Sequence, residues 1–184
     1  MKQKLKRAMK KIKFLMVRWG IHWNDPCFSK DIARWKEILG ISAPDKTAAA
    51  YLVWDYPEFR NLLIYRHPKG FWKYWFEFWY KPMDTLYILA NKIGGGLFIQ
   101  HGFATMISAE SIGENCWINQ QVTIGYNGHD KPPVIGDNVM IFCGAKVLGS
   151  ITVGDNVVIG ANAVVIRDVE SCAVMGGVPA RRLK

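Results

Sequence analysis

The chain has 184 residues, of which 50% are hydrophobic and 13% aromatic, and 24 Lys and Arg against 15 Asp and Glu give it a net charge of +9. This length favours one domain with an extension over two full domains, and the apolar content excludes a chain too polar to form a core. The positive charge favours an anionic partner, which could be a membrane surface, a nucleic acid or a small phosphorylated molecule.

The first 23 residues are basic and amphipathic. They carry eight Lys and Arg residues and no Asp or Glu, and these bases interrupt the apolar runs that a signal peptide or a membrane span needs. The helical spacing gathers apolar residues near one face, which we expect to pack on the protein itself. Contact with a membrane surface is the alternative, and we expect no nucleic acid partner. The residues of this face are Leu5, Met9, Ile12, Met16 and Trp19.

Two further helices are predicted before residue 93. Asp55 is placed to cap a helix whose first turn holds Pro57 and Glu58. The run Phe71–Tyr80 would put rings on nearly every face of a helix, which predicts burial against other helices or a neighbouring subunit, with membrane contact as the alternative. We therefore assign residues 1–92 to an α-helical N-terminal region.

From residue 93 the sequence has an internal repeat of six residues. A branched aliphatic residue returns at every sixth position, and glycine often follows it directly. This period fits neither an α-helix nor an alternating strand, but it suits a parallel β-helix with three short strands per coil and coils about 4.8 Å apart. Residues 93–184 are therefore assigned to a parallel β-helix domain. The repeating aliphatic positions are Ile112, Ile118, Ile124, Ile135, Ile141, Val147, Val153, Ile159 and Val165.

The repeat is interrupted once, between Ile124 and Ile135, where one unit is followed by five inserted residues. The insertion predicts a loop over residues 126–132 that leaves the regular β-helix and contains His129. Loops on a rigid scaffold often carry the functional residues of a protein. A tolerated surface insertion is the alternative.

The repeats and the ending Gly176–Arg181 resemble those of the hexapeptide acyltransferases. The similarity is narrower to the serine acetyltransferase family, because Gln100–Thr105 resembles its Asp-His-Ala-Thr-Gly catalytic motif, and Val122–Gly125 and Val139–Gly149 follow its pattern. The resemblance implies a left-handed parallel β-helix and O-acetyl transfer from acetyl-CoA to L-serine, without a metal. It also implies a homotrimer, whose trimers can pair, with acetyl-CoA between the coils of neighbouring subunits.

Histidine is the expected base, because a hydroxyl is a poor nucleophile while protonated and an imidazole with a pKa of about 6.5 is mostly neutral in the cytoplasm. His101 matches the catalytic His of the family, and His129 resembles that of the galactoside and maltose acetyltransferases. We expect His101 to be the base, and His129 to bind the acceptor or to act in its place. Gly125, at the base of the loop, is the candidate backbone donor to the oxyanion.

The resemblance also places acetyl-CoA on particular residues. Cys143, Gly144 and Ala161 correspond to the lining of the pantetheine channel. Arg181, Arg182 and Lys184 are candidates to bind the CoA phosphates. A solvated tail is the alternative for these terminal bases. The four cysteines of the chain show no CxxC pair and no disulfide-framework spacing, which favours reduced thiols and a cytoplasmic location.

The identity of the acceptor stays open at this point. Gln100 stands where the family has the Asp that orients the imidazole, and an amide cannot stabilise an imidazolium as a carboxylate does. Asp55, Glu58 or Asp130 could supply the missing carboxylate. A sugar or polysaccharide hydroxyl is therefore an alternative acceptor, and a non-catalytic β-helix scaffold is a second alternative. A γ-class carbonic anhydrase is excluded, because it needs three metal-binding histidines and the repeat half has two.

Overall fold

The computed structural model describes residue 9 and residues 12–67, 70–128 and 131–184. The chain divides into two compact units, Met1–Met83 and Asp84–Lys184, the first helical and the second built of strands. The strands begin at Leu86, ahead of residue 93, where the repeat suggests the boundary. The six-residue pattern does not detect the first coil, because Ile88 and Ile93 are only five positions apart.

The first unit contains the helices α1 (Pro26–Leu39), α2 (Asp45–Asp55), α3 (Pro57–Arg66) and α4 (Phe71–Trp79), and a 3-10 turn at Arg18–Gly20 follows helical residues 12–17. α1 begins after Asp25, whose Oδ1 accepts a hydrogen bond from the backbone N–H of Cys27 at 2.9 Å. It ends at Gly40, where φ is 65°. Within the described parts of the chain, no helix has the length and apolar character needed to cross a membrane. The core of this unit includes Phe28, Trp35, Leu52, Phe59, Leu62, Leu63 and Phe76.

The prediction that Asp55 caps a helix is wrong. Asp55 is the last residue of α2, and Tyr56 follows it in an extended conformation, with φ −121° and ψ 101°. A residue before proline is disfavoured in the helical conformation, so Pro57 separates two helices that would otherwise run on as one. Pro57 does lie in the first turn of α3 as predicted.

The N-terminal helical segment packs through a different face from the one that the sequence suggested. Phe14 and Val17 are buried, with exposed fractions of 7% and 0%. The predicted face is exposed instead, so the prediction that it packs on the protein itself is wrong. Leu5, which belongs to the predicted face, lies outside the described residues. Both stripes of this helix are apolar, so periodicity alone cannot tell which one meets the core. The exposed fractions are 48% for Met9, 60% for Ile12, 39% for Met16 and 61% for Trp19.

α4 is buried along one face only. Trp72 and Phe76 lie in the core of the helical unit, and the Nε1–H of Trp72 donates a hydrogen bond to the carbonyl of Val17 at 2.8 Å. Phe71, Tyr74 and Phe78 are exposed, at 71%, 71% and 76%. Of the eight rings in the run, three are buried within this chain, those of Trp72, Phe76 and Tyr80. The expected burial against other helices therefore holds for these three, and no neighbouring subunit is described that could cover the others.

The second unit is a parallel β-helix, as predicted, with one sheet on each of three sides. Among the described residues, one pair of strands is antiparallel, Val174–Gly176 with Arg181–Arg182. Sheet A contains β1 (Leu86–Ile88), β4 (Thr105–Ile107), β7 (Thr123–Gly125), β10 (Lys146–Leu148) and β13 (Val164–Val165). Sheet B contains β2 (Lys92–Ile93), β5 (Ser111–Ile112), β8 (Val134–Ile135) and β11 (Thr152–Val153). Sheet C contains β3 (Phe98–Gln100), β6 (Trp117–Asn119), β9 (Met140–Ile141), β12 (Val158–Ile159), β14 (Val174–Gly176) and β15 (Arg181–Arg182).

The repeating aliphatic residues stack on one another inside the β-helix. Each is at most 2% exposed, and burying an aliphatic side chain of this size contributes roughly 1.5–3 kcal/mol. The fold predicted from the repeat, and its left-handed form implied by the resemblance, are confirmed. The paired residues are Ile135 with Val153, Ile141 with Ile159 and Val147 with Val165.

Two kinds of residue turn the chain at the corners of the β-helix. A Cβ added to Gly113 would lie 2.6 Å from the backbone of Gly136 in the next coil, so the close approach of the coils requires glycine there. At the corners that follow the core aliphatic residues from Ile112 onward in sheets B and C, the backbone three positions further on is left-handed, a conformation that glycine and asparagine tolerate best. The residues in this conformation include Asn115, Gln121, Asn138, Gly144, Asn156 and Asn162.

Candidate active site

His101 lies at the corner between β3 and β4, where the chain passes from sheet C to sheet A. Ile99 and Ile107 are eight positions apart, so this corner holds two residues more than a regular unit, and the repeat is interrupted here as well as at the loop. His101 and Ala104 both have positive φ, at 56° and 53°. Such a conformation costs roughly 1–2 kcal/mol for a residue with a side chain and is often retained at functional sites.

The imidazole of His101 is accessible to a substrate. The residue is exposed. The turn beneath it is held by the backbone N–H of Phe103, which donates to the carbonyl of His101. Gln100 Oε1 accepts a hydrogen bond from Nδ2 of Asn119 at 3.5 Å. The amide that replaces the family's Asp is therefore bonded to the next coil.

Two buried amide oxygens lie in the coil that follows the His101 corner, one of them on Asn119 itself. Asn119 Oδ1 and Gln120 Oε1 have no hydrogen-bond partner among the described residues. Buried polar atoms are normally paired, and each one left unpaired costs about 1–3 kcal/mol. They belong to the corner that stacks on the His101 corner, since Gln121 N donates to Phe103 O at 3.0 Å. Neither amide was predicted from the sequence, although both belong to the polar run that directly follows the core residue Ile118.

The residues assigned to the pantetheine channel lie on the same edge of the β-helix as His101. Cys143 and Gly144 belong to the turn between β9 and β10, and Ala161 belongs to the turn between β12 and β13, both of which connect sheet C to sheet A. Backbone hydrogen bonds join these turns, from Gly144 N to Gln120 O at 3.0 Å and from Asn162 N to Cys143 O at 2.9 Å. With coils about 4.8 Å apart, this edge extends roughly 14 Å from His101 to Ala161.

Gly125 lies at a different edge. It is the last residue of β7 and is buried, and Gly149 N donates to its carbonyl at 2.9 Å. Because β7 pairs with β4 in sheet A, Gly125 and His101 flank opposite ends of that sheet, about 10 Å apart along a three-residue strand. One chain therefore does not bring His101 and Gly125 together. His129 and Asp130, in the loop that follows Gly125, lie outside the described residues.

The terminal bases lie at the C-terminal end of the β-helix. Arg181 lines a pocket of about 390 Å³ together with Arg167, a second guanidinium that the sequence analysis missed. Lys184 is exposed, and its backbone carbonyl accepts a hydrogen bond from Arg182 Nε at 3.0 Å. Arg182 is also paired with Glu170, at 2.9 Å. Of the three predicted phosphate ligands, Arg181 thus lines this pocket, Arg182 is paired with a carboxylate and Lys184 is exposed.

None of the carboxylates considered for His101 belongs to the described part of the β-helix unit, because Asp130 lies outside the described residues. Asp55 and Glu58 belong to the helical unit. Within residue 9 and residues 12–67, 70–128 and 131–184, no group of three or more His, Cys, Asp or Glu residues could hold a metal ion. The chemistry that the described site offers is that of an imidazole beside an edge of small residues.

Comparison with known proteins places this geometry in a class. The family model "Bacterial transferase hexapeptide (six repeats)" matches residues 132–167. A serine acetyltransferase of Staphylococcus aureus is 46% identical over 97 residues, which cover 50% of this chain and 46% of that protein. The chain therefore spans about half the length of the curated relatives it matches.

Solved structures extend the likeness to the helical unit. The serine acetyltransferase of Neisseria gonorrhoeae in complex with serine superposes with a TM-score of 0.65 at 26% identity, over 84% of this chain and 67% of that one. A serine acetyltransferase in complex with CoA gives a TM-score of 0.58 at 29% identity, over 85% and 68%.

The second unit is a parallel β-helix, and its residues 132–167 match the repeats of the bacterial hexapeptide transferases. Within this class, the resemblance to the serine acetyltransferase family is confirmed by the curated relatives and by the solved structures.

Proposed function

We propose that the protein transfers the acetyl group of acetyl-CoA to the hydroxyl of L-serine. The observation that carries this proposal is the exposed imidazole of His101 on the same edge of the β-helix as Cys143, Gly144 and Ala161. The likeness to serine acetyltransferases solved with serine and with CoA supports the choice of both substrates.

In the proposed reaction His101 acts as the general base. Its neutral imidazole accepts the hydroxyl proton of serine while the hydroxyl oxygen attacks the thioester carbonyl carbon. When the tetrahedral intermediate collapses, the carbon–sulfur bond breaks and the imidazolium returns the proton to the departing CoA thiolate. Small residues at Cys143, Gly144 and Ala161 leave room for the pantetheine arm, and Arg181 is the candidate partner for a CoA phosphate.

A neighbouring copy of the chain would complete this site. His101 and Gly125 flank opposite ends of sheet A, so they can act on one acetyl group only across a subunit boundary. A closed ring of three copies would place the edge that carries His101 against the edge that carries Gly125 of the next copy. The backbone N–H of Gly125 would then stabilise the oxyanion, and His129 would bind the acceptor or act as the base instead.

The second candidate function is acetylation of a sugar hydroxyl. Gln100 favours it, because the carboxylate that orients the catalytic imidazole of the serine acetyltransferases is replaced here by an amide bonded to Asn119. Acetyl transfer remains possible without that carboxylate, whereas the match to serine as acceptor is weakened.

The decisive experiment follows thiol release from acetyl-CoA by the full chain, with L-serine and several sugars as parallel acceptors. We expect serine to accelerate release and the His101→Asn variant to lose about 10²–10⁴-fold in kcat. His129→Asn is measured beside it, and His22→Asn, which changes an exposed histidine of the helical unit, is the matched control. Acceleration by a sugar alone would select the second function, and thiol release unchanged by any acceptor would select a non-catalytic scaffold.

The trimer has its own test. The mass of the chain in solution should correspond to three copies or a multiple of three. His101→Asn and His129→Asn chains are unfolded, mixed and refolded together. Part of the activity should return, because some sites would then combine the intact His101 of one copy with the intact His129 of its neighbour. Mixtures as inactive as either variant alone would contradict a shared site.

A further inference from the structure

The helical unit exposes an unusually aromatic surface. Its residues are spaced by three or four positions along two helices, so that each helix presents one apolar stripe. Because the core of the unit is formed by the opposite stripes, no residue in the described part of the unit buries these side chains, although Trp75 is half-buried. We call this surface the aromatic patch; it consists of Ile12, Leu15, Met16, Trp19, Phe71, Tyr74, Trp75 and Phe78.

The two stripes form one continuous patch. The Nε1–H groups of Trp19 and Trp75 both donate to the carbonyl of Met16, at 3.0 and 2.7 Å, so the two indoles meet at one point. From there the ring of Trp75 stacks with Phe71, at 6.2 Å between centroids, and with Phe78, at 6.3 Å. Contiguous exposed apolar surface of this extent is rare unless it binds something.

The composition of the patch fits the boundary between water and lipid. Tryptophan and tyrosine have an apolar ring and one polar group, and they concentrate at the headgroup level of membranes. Within the described residues no helix could cross a bilayer, so contact would be confined to its surface. An amphipathic helix lying in this layer buries its apolar face among the headgroups and acyl ends.

The positive charge next to the patch favours an anionic lipid surface over a second copy of the chain as its binding partner. Arg18 is exposed directly beside Trp19 of the patch, whereas the Lys13 ammonium lies over the ring of Trp54, 5.6 Å from its centroid and outside the patch. Glu77 on α4 is paired with Lys73 at 3.7 Å, and the sequence of the first 23 residues has eight bases and no acid. An isologous contact between two such faces would bring these like charges together, which is unfavourable. An anionic bilayer instead attracts them, at about 1 kcal/mol per basic residue near the surface.

We propose that the aromatic patch binds the surface of an anionic lipid bilayer, with its rings in the headgroup layer and Arg18 near the lipid phosphates. This inference concerns the helical unit alone and does not depend on the acetyl acceptor. It gives the N-terminal region a role that the proposed reaction does not require.

Vesicle flotation tests the proposal. The full chain is mixed with vesicles of phosphatidylcholine alone, or of equal parts phosphatidylcholine and phosphatidylglycerol, and the floating fraction is measured at low and high salt. We expect flotation with the anionic vesicles and much less with the neutral ones. High salt should weaken it, because the screening length falls to about 3 Å at 1 M. The Trp19→Ser/Phe78→Ser variant should partition about tenfold more weakly.

Tyr51→Ser, which removes an exposed aromatic residue of α2 outside the patch, is the matched control and should float like the parent chain. Circular dichroism verifies that each variant is folded; if the first double variant is not, Phe71→Ser/Tyr74→Ser replaces it. Flotation with neither kind of vesicle overturns the proposal. So does flotation that the patch variants leave unchanged, which would mean that the bases act alone. An assembly of the parent chain that the patch variants split, without vesicle binding, would show that a second copy covers the patch and would also overturn it.

Discussion

Arg66 and Asp31 form a two-pronged ion pair in the interior of the helical unit, with Nε–Oδ2 at 2.8 Å and Nη2–Oδ1 at 3.1 Å. The side chains are 5% and 0% exposed, and they tie α3 to α1. Replacing Arg66 with Met removes the guanidinium that compensates the buried carboxylate. We expect this variant to lose about 3–5 kcal/mol of unfolding free energy in urea titrations.

A surface pair is the control for this prediction. Glu37 bonds Arg34 at 3.0 Å but is 70% exposed, so Glu37→Gln should change the unfolding free energy by no more than about 1 kcal/mol. The double variant Asp31→Leu/Arg66→Met should recover part of the loss. Equal effects at the buried and the exposed pair would contradict the assigned difference.

His67 should make the stability of the helical unit depend on pH. Its Nε2 accepts a hydrogen bond from His22 N at 2.7 Å, and its Nδ1 bonds the carbonyl of Leu63 at 2.9 Å. Burial lowers the pKa of His67, and the nearby His22 and Arg66 act in the same direction, against the Leu63 carbonyl and Asp25. The neutral ring is therefore the form that the folded state favours.

The direction of the effect follows from this lowered pKa. In the unfolded chain His67 has a pKa of about 6.5, and above this pH it does not lower the unfolding free energy. As the pH falls through the window from there to the lower pKa of His67 in the folded state, the unfolding free energy decreases, because the unfolded chain binds a proton that the folded chain does not. Within that window the slope is at most about 1.4 kcal/mol per pH unit. Unfolding titrations between about pH 7.5 and about pH 5 should show it, and His67→Gln should flatten it. An unchanged slope in His67→Gln would assign the effect to other groups.

Gly113 should resist substitution because of the stacking of the coils. A Cβ there would lie 2.6 Å from backbone atoms of Gly136, and backbone cannot rotate away as a side chain can. Gly113→Ala should therefore lower the unfolding free energy by about 1–3 kcal/mol. A Cβ at Gly125 meets no atom within 4 Å, so the unfolding free energy of Gly125→Ala should stay near that of the parent. Similar losses in both variants would contradict the steric explanation.

Ala161 tests the proposed pantetheine edge. The residue is exposed on the edge that carries His101, so Ala161→Trp should leave the fold intact while blocking the acyl donor. We expect KM for acetyl-CoA to rise by about tenfold or more, with little change in KM for the acceptor. Thr152→Trp, at an exposed position of sheet B, is the control. Equal effects of the two substitutions on KM would remove the support for this edge as the donor site.

The β-helix could be predicted because its signal is repeated and local. Ile135, Ile141 and Val147 each occupy the same place in a unit of six, and every coil needs such residues to close its interior. His101 was found through a short motif, whereas the amides of Asn119 and Gln120 have no such signature. Their burial follows from the stacking of one coil on the next, which a single unit of the repeat does not reveal.

The helical unit shows the opposite case. Pro57 was correctly placed in the first turn of α3, but the extension of α2 as far as Asp55 depends on its packing and not on any residue near the cap. Likewise, Phe14 and Ile12 are both apolar, and only the shape of the neighbouring helices decides which of them is buried.

Periodic aliphatic residues were enough to specify a three-sided parallel β-helix, because each coil repeats one short-range requirement for a buried rung. The tertiary structure alone decided that His101 and Gly125 lie at opposite ends of sheet A and that the aromatic patch faces outward. Such relations depend on distances between residues far apart in the chain, and these distances arise only when the coils stack and the helices pack.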